Sequence, residues 1–125
     1  MLAAARVEAT VPAAKLSRAR EFYEGVLGLS AAGSYTPGVD VVYECGDATR
    51  LLVYEHPGPP APARTVAHFV VDDVAGAVAQ LRERGVRFED YDMPELRTVD
   101  GVAVVGEMRF AWFRDPDLNV LAIHD

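Results

Sequence analysis

Apolar residues follow two different periods in the first half of the chain. They alternate along Val7–Ala14, which predicts a half-buried β-strand. Helical spacing follows, and it predicts an amphipathic helix with Ser17 as a candidate cap near its start and Gly28 at its end. The apolar stripe of that helix consists of Leu16, Ala19, Phe22, Tyr23 and Val26. Three β-like runs come next, at Leu29–Tyr35, Val39–Cys45 and Leu51–Tyr54.

The second half repeats this order after a proline-rich segment. His56–Pro62 contains four prolines, which predicts an exposed linker. A β run at Thr65–Val71 is followed by Asp73, a good helix cap, and by a helical stripe that ends at Gly85. The stripe consists of Val74, Ala77, Val78 and Leu81, and three further strands are predicted at Val86–Asp90, Glu107–Phe113 and Asn119–His124.

This repetition predicts the architecture. Gly28 and Gly85 stand 57 positions apart, and two copies of β-α-β-β-β indicate a duplicated unit rather than a repeat array. We predict an α+β fold in which two βαβββ modules pair into a curved mixed sheet around a concave cavity, with the helices outside. The expected division is a single domain over 1–125, with module one at 1–55, a linker at 56–64 and module two at 65–125.

Composition narrows the function classes. The 125 residues carry a net charge of −7 and no Lys/Arg-rich run, which argues against binding to nucleic acid. No apolar run approaches the roughly 20 residues that span a bilayer, and no signal peptide is visible, so a cytoplasmic location is expected. Cys45 is the one cysteine, which excludes an internal disulfide, and we expect it to be a small buried hydrophobe.

Three motifs in order carry a family resemblance. They are Leu16–Tyr23 leading to Val26–Leu29, then Val70–Val74, and then Phe113–Leu121. Together with the duplicated pattern, they resemble the vicinal oxygen chelate superfamily, which includes glyoxalase I, bleomycin-resistance proteins, fosfomycin-resistance enzymes and extradiol dioxygenases. The resemblance covers nearly the whole chain and implies the fold above, but this fold supports many activities.

The resemblance also implies a divalent metal held by His, Glu or Gln on inner strand positions of both modules. Carried onto this chain, the four positions are Glu8, Val53 or Tyr54, Val66, and Ala122. Only Glu8 suits a metal, and a catalytic ion needs about three protein ligands, so no metal cofactor is expected. His68 and His124 lie two residues beyond Val66 and Ala122, and a relocated divalent metal site with Glu8 is the alternative.

Aromatic residues alternate along Glu107–Phe113. Met108, Phe110 and Trp112 share one side, and we assign this side to the concave face because Ala111 and Phe113 then face the second helix. Such a wall suits a planar or aromatic ligand, and simple core filling is the alternative. His68 and His124 are expected to be hydrogen-bonding side chains that line or cap the cavity, and exposure near the C-terminus is the alternative for His124.

Glu8 is the candidate general base. The alternatives are an ion pair with an arginine, such as Arg64 or Arg109, or a position in water at the strand end. The segment Tyr91–Gly106 is predicted to be a long loop that forms a cavity rim or an interface. Its charged residues are expected to be solvated: Asp92, Glu95, Arg97 and Asp100.

These observations predict a glyoxalase/bleomycin-resistance-like small-molecule-binding protein without a metal, with a small apolar or aromatic ligand between the two modules. The candidate ligand-binding residues are Glu8, Tyr54, His68, Met108, Phe110, Trp112 and His124. One alternative is an enzyme of the same superfamily (a lyase, isomerase or dioxygenase) that uses the relocated metal site or Glu8 as base. Another is a structural or regulatory domain without a ligand. A homodimer is the expected partner arrangement, with no nucleic-acid or membrane partner.

Overall fold

The computed structural model describes residues 2–4, 6–59 and 64–125, and the chain divides into two units, Met1–Pro59 and Pro60–Asp125. Residues 60–63 of the predicted linker lie outside the described residues. The predicted domain boundaries and the pairing of the modules around a cavity stay predictions. Among the described residues, no helix combines the length and the apolar character needed to cross a membrane.

The first unit is a four-stranded sheet with one helical segment. Its strands are β1 (Ala9–Ala13), β2 (Ala31–Gly33), β3 (Asp40–Glu44) and β4 (Arg50–Glu55), and the helical segment is α1 (Leu16–Arg20) continued by a π-helical stretch, Glu21–Val26. Short 3₁₀ turns lie at Leu2–Ala4 and Gly46–Ala48. The strand order is β1-β4-β3-β2, in which β1 and β4 run parallel and the other neighbours antiparallel.

One face of this sheet carries the buried apolar core of the unit. Val11 and Val41 both lie opposite Val53 in the register, and all three side chains are buried. On the same side, the ring of Tyr43 stacks on that of Tyr23 from the π-helical stretch at 5.9 Å between centroids. The phenol of Tyr43 donates to Glu24 Oε2 at 2.9 Å, and burial raises the pKa of this phenol.

The start of α1 differs from the prediction. Ser17 is not the cap: Lys15 occupies the N-cap position without a side-chain hydrogen bond. Glu55 at the end of β4 accepts the backbone N–H of Leu16 at 3.0 Å instead, so a carboxylate distant in sequence satisfies one of the free donors of the first turn. Gly28 follows the helical segment with φ 74°, in agreement with its predicted role as terminator.

The second unit has the same topology. Its elements are β5 (Thr65–Val70), α2 (Val74–Glu83), a small hairpin of β6 (Asp92–Met93) and β7 (Leu96–Arg97), and then β8 (Ala103–Val105), β9 (Met108–Arg114) and β10 (Val120–His124). The sheet order is β5-β10-β9-β8, in which β5 and β10 are parallel and the other neighbours antiparallel. Asp73 caps α2 by accepting the N–H of Gly76 at 3.1 Å, as predicted. The α+β class and the two βαβββ units are confirmed.

The prediction of a strand at Val86–Asp90 is wrong. The segment Tyr91–Gly106, predicted to be a long loop, contains the strands β6, β7 and β8. The fourth strand of the sheet is β8, which lies inside the predicted loop. Phe88 makes an isolated bridge to Phe113, and the N–H of Glu89 donates to the carbonyl of Trp112. β8 pairs with residues 108–110 of β9. The 88–89 segment therefore forms its backbone contacts only with residues 112–113 of the same strand.

Candidate functional site

The candidate site is the face of the second sheet that lies opposite α2. Five rings follow one another across this face, and we call them the ring row: Tyr91, Trp112, Phe110, His124 and His68. In this order, the centroids of successive rings are 5.5, 5.7, 4.9 and 4.5 Å apart. The last three contacts are stacked, with interplanar angles of 12°, 30° and 27°, and the first is edge-to-face. Such spacings are those of favourable aromatic pairs.

Strand alternation and register build this row. Trp112 and His68 both lie opposite Ala122, while Phe110 lies opposite His124, so all four side chains project from one face. On the other face of β9, Ala111 and Phe113 are buried at 0% and 1% exposure on the side of α2. Phe110 and Trp112 stay half-buried. The structure therefore places Phe110, Trp112 and the exposed Met108 on the face opposite α2, and their assignment to a concave face stays a prediction.

His124 combines burial with an unsatisfied nitrogen. Its side chain lies on the middle strand β10 and is 9% exposed. Its Nδ1 lies 3.0 Å from the backbone carbonyl oxygen of Asp125, whereas its Nε2 is buried without a hydrogen-bond partner in the part of the chain that the structure describes. His68, which stacks on it, is exposed.

Tyr91 is the member of the row that the sequence analysis missed. Its backbone N–H donates to Thr98 Oγ1 at 2.8 Å, and this hydroxyl donates to Asp90 Oδ1 at 2.9 Å. The same Asp90 oxygen accepts the N–H of Gly101 at 3.0 Å. One carboxylate before the β6–β7 hairpin is therefore hydrogen-bonded to two residues that follow it. Burial, followed by the nearby charge of Glu89, raises the pKa of the Tyr91 phenol. The spacing of Asp90 and Thr98 is a weak signal for such a hairpin.

Glu8 and Tyr54, the two candidates from the first half, belong to the first unit and not to the ring row. Glu8 precedes β1 and accepts from the phenol of Tyr35, at 2.9 Å to one carboxylate oxygen and 3.0 Å to the other. The partner is therefore a phenol and not one of the predicted arginines, Arg64 or Arg109. Tyr54 on β4 has its ring 6.1 Å from that of His56.

The donor set does not fit the metal that the family resemblance implies. Val66 and Ala122 stand at two of the four ligand positions, and aliphatic side chains supply no donor. Among the described residues, no group of three or more His, Cys, Asp or Glu side chains is arranged to hold an ion. The rings of His68 and His124 stack face to face, with their centroids 4.5 Å apart. The contact between these two side chains is therefore an aromatic one.

The charged residues of the predicted loop are exposed, and the surroundings of Cys45 disfavour a nucleophile. Asp92 and Arg97 form an ion pair at 3.5 Å with both side chains in water, and Glu95 and Asp100 are exposed, as predicted. Cys45 is half-buried, and burial raises the pKa of its thiol, which disfavours the nucleophilic thiolate.

Comparisons with known proteins agree with this architecture. The family model of the Glyoxalase/Bleomycin resistance protein/Dioxygenase superfamily matches residues 6–123. A glyoxalase family protein from Enterococcus faecalis is similar over 100% of both chains, with 20% identity and a TM-score of 0.72. Lactoylglutathione lyase from Agrobacterium tumefaciens is similar over 97% of this chain and 92% of its own, with 22% identity and a TM-score of 0.65.

A third similar structure is TnmS3, an antibiotic binding protein from Streptomyces sp. CB03234. The likeness covers 96% of this chain and 95% of TnmS3, with 22% identity and a TM-score of 0.63. At these identities the similarity shows a shared fold, which by itself assigns no activity. No curated protein matches the sequence.

Proposed function

Because the chain belongs to the glyoxalase/bleomycin resistance protein/dioxygenase superfamily, we propose that it is a small-molecule-binding protein that takes a planar apolar or aromatic ligand against the ring row. The observation that carries this proposal is the row itself: a series of stacked rings on a sheet face that α2 does not cover. Flat rings offer large contact areas at a low cost in conformational entropy. TnmS3, which has the same fold, is an antibiotic binding protein, and this supports a binding role.

The experiment is equilibrium dialysis of the full chain against 2-methoxynaphthalene, a planar probe without a hydrogen-bond donor. We expect saturable one-to-one binding that weakens at least about fivefold in Trp112→Ala, because removal of one stacking partner costs about 1–3 kcal/mol. Val104→Ala is the matched control, since this exposed valine on β8 lies opposite Arg109 and so projects from the other face of the sheet. Absence of saturable binding, or equal binding by Trp112→Ala, would contradict the proposal.

We propose that this binding needs no metal. The aliphatic side chains at positions 66 and 122 support the proposal, because a divalent ion would meet few donors there. Calorimetric titration with Zn²⁺, Ni²⁺ and Mn²⁺ should give no stoichiometric heat, and dialysis of the probe should be unchanged by a chelator. Tight binding of one ion that is lost in both His68→Ala and His124→Ala would establish the relocated site instead.

An enzymatic role is the second candidate, and the contact between Glu8 and Tyr35 is the observation in its favour. A phenol that donates to both carboxylate oxygens fixes the orientation of this candidate base. The similar fold of a lactoylglutathione lyase makes that activity the one to assay. Turnover that is lost in Glu8→Gln while the protein stays folded would support this role. No turnover in the unmodified chain, or turnover that survives both Glu8→Gln and His68→Ala, would exclude it.

A homodimer also belongs to the proposal. β8 stands at the edge of its sheet, and its Val104 and Val105 are exposed. An uncovered apolar edge strand favours association with a second copy. Light scattering at micromolar concentration should give the mass of two chains, and the mass of one chain would contradict this.

A further inference from the structure

The buried imidazole of His124 is chemically asymmetric. Its Nδ1 lies 3.0 Å from the carbonyl oxygen of Asp125, and a carbonyl only accepts, so Nδ1 carries the ring hydrogen. In the neutral ring this leaves Nε2 as an acceptor with a free lone pair. That atom is buried without a partner among the residues that the structure describes. A buried acceptor without a donor is costly, and a native structure that contains one calls for an explanation.

The position of this acceptor links it to the ring row. His124 lies on the middle strand, with Phe110 stacked on it from β9 at 4.9 Å and His68 from β5 at 4.5 Å. A ligand that contacts Phe110 and His68 on this face is therefore next to the ring of His124, whose Nε2 lacks a donor. Phe110, Trp112 and Met108 offer no acceptor of comparable strength on this face, and the second imidazole, that of His68, is exposed, so its nitrogens can be satisfied by water.

We infer that the natural ligand class is a planar aromatic molecule with a hydroxyl or N–H donor on its edge, and that His124 Nε2 accepts this hydrogen bond. This inference rests on the binding function proposed above and makes His124 its specificity-determining residue. In the free protein Nε2 is out of contact with water, so a neighbouring ring turns aside when the ligand enters. His68 is exposed, stacks directly on His124 and is the ring with room to move.

The test compares two probes of nearly the same shape, 2-naphthol and its methyl ether, 2-methoxynaphthalene. The ether replaces the donor by a methyl group and presents only an acceptor oxygen to Nε2. We expect 2-naphthol to bind the full chain about tenfold more tightly, the value of one well-made hydrogen bond that also satisfies a buried acceptor. Equal binding of the two probes would overturn the inference and leave the proposed function standing. Binding of neither probe would overturn both.

Variants assign this preference to one nitrogen. His124→Phe keeps a stacking ring and removes the acceptor, so the two probes should bind it with equal affinity. His56→Phe is the matched control, because it makes the same change at a histidine of the first unit that is not in the ring row. Retention of the tenfold preference in a folded His124→Phe would contradict the inference.

A spectroscopic measurement on the unmodified chain covers the case in which His124→Phe does not fold. Imidazole ¹⁵N spectra should show His124 with a hydrogen on Nδ1 and none on Nε2. On titration, 2-naphthol should move the Nε2 signal in the direction of a hydrogen-bonded acceptor, and the methyl ether should not. A hydrogen found on Nε2 in the free protein, or an Nε2 signal that 2-naphthol leaves unchanged, would overturn the inference.

Discussion

The two units share a strand order and differ in what they place opposite their helical segments. In the first unit, this side of the sheet carries Thr10, Pro12, Leu52 and Tyr54, a mixed surface on which the ring of Tyr54 lies 6.1 Å from that of His56 at a tilted angle, without a stacked series among the described residues. In the second unit, the equivalent side carries the ring row. The sides that face the helical segments are alike, since both are buried and apolar. The comparison teaches that the helix-facing side forms the core in both units, while the opposite side can differ between them and carry binding residues.

The largest expected effect separates these two sides within β9. Phe113→Ala, on the α2 side, should lower the free energy of unfolding by about 3–5 kcal/mol, because it leaves a cavity in a fully buried core. Phe110→Ala, three residues earlier and half-buried, should cost about 1–2 kcal/mol. Urea denaturation of both variants measures the difference. Equal losses would mean that the ring row is itself part of the core.

A smaller effect distinguishes how the two helical segments begin. Asp73→Ala removes the cap of α2 and should cost about 1 kcal/mol, whereas Asp73→Asn keeps an acceptor for the Gly76 N–H and should cost much less. In the first unit, Ser17→Ala should change stability by less than about 0.5 kcal/mol, because Glu55 and not Ser17 accepts from the first turn. Thermal unfolding measures all three variants, and a Ser17→Ala loss as large as that of Asp73→Ala would refute this assignment.

The smallest effect concerns pH and belongs to the first unit. Hydrogen bonds from Arg20, at 2.6 Å, and from Tyr43 lower the pKa of Glu24 from its ordinary 4.5, against an opposing contribution from burial. A carboxyl with a lowered folded-state pKa stabilises the fold above pH 4.5, and this contribution disappears as the pH falls through the folded-state value.

Glu24→Gln should therefore reduce stability by up to about 1 kcal/mol at neutral pH, since the group is partly exposed and screened. The difference from the unmodified chain should shrink as the pH falls below 4.5. Urea titrations at several pH values measure it. A difference that stays constant down to acid pH would show that the carboxylate charge is not responsible.

Local patterns in the sequence predict most of the fold. Period-two alternation locates β1 and β9, a short apolar run locates β10, and the spacing of Gly28 and Gly85 reveals the repeated unit. The error at Val86–Asp90 arose because two segments compete for one edge of β9, and local pattern does not state which of them pairs. The hydrogen bond from the N–H of Leu16 to Glu55 at the start of α1 was not predictable either, because the two residues are 39 positions apart in the sequence.

The candidate site was predictable as far as strand alternation reaches. Alternation assigns Phe110 and Trp112 to one face, and the register then adds His68 and His124. Tyr91 joins the row through a hairpin held by Asp90, a tertiary arrangement that no period in the sequence encodes. The tautomer of His124 likewise depends on the position of a backbone carbonyl, which is a property of the folded chain alone.

The central claim, that the ring row of the second unit is the binding surface, has a direct test in Trp112. The chain contains one tryptophan, so its indole N–H gives a single signal in a ¹H–¹⁵N spectrum. Titration with 2-methoxynaphthalene should move this signal saturably, with the same dissociation constant as dialysis, while the ring signals of Phe113 on the α2 side stay in place. An indole signal that does not move at saturating probe, or shifts confined to Phe113, would contradict the account.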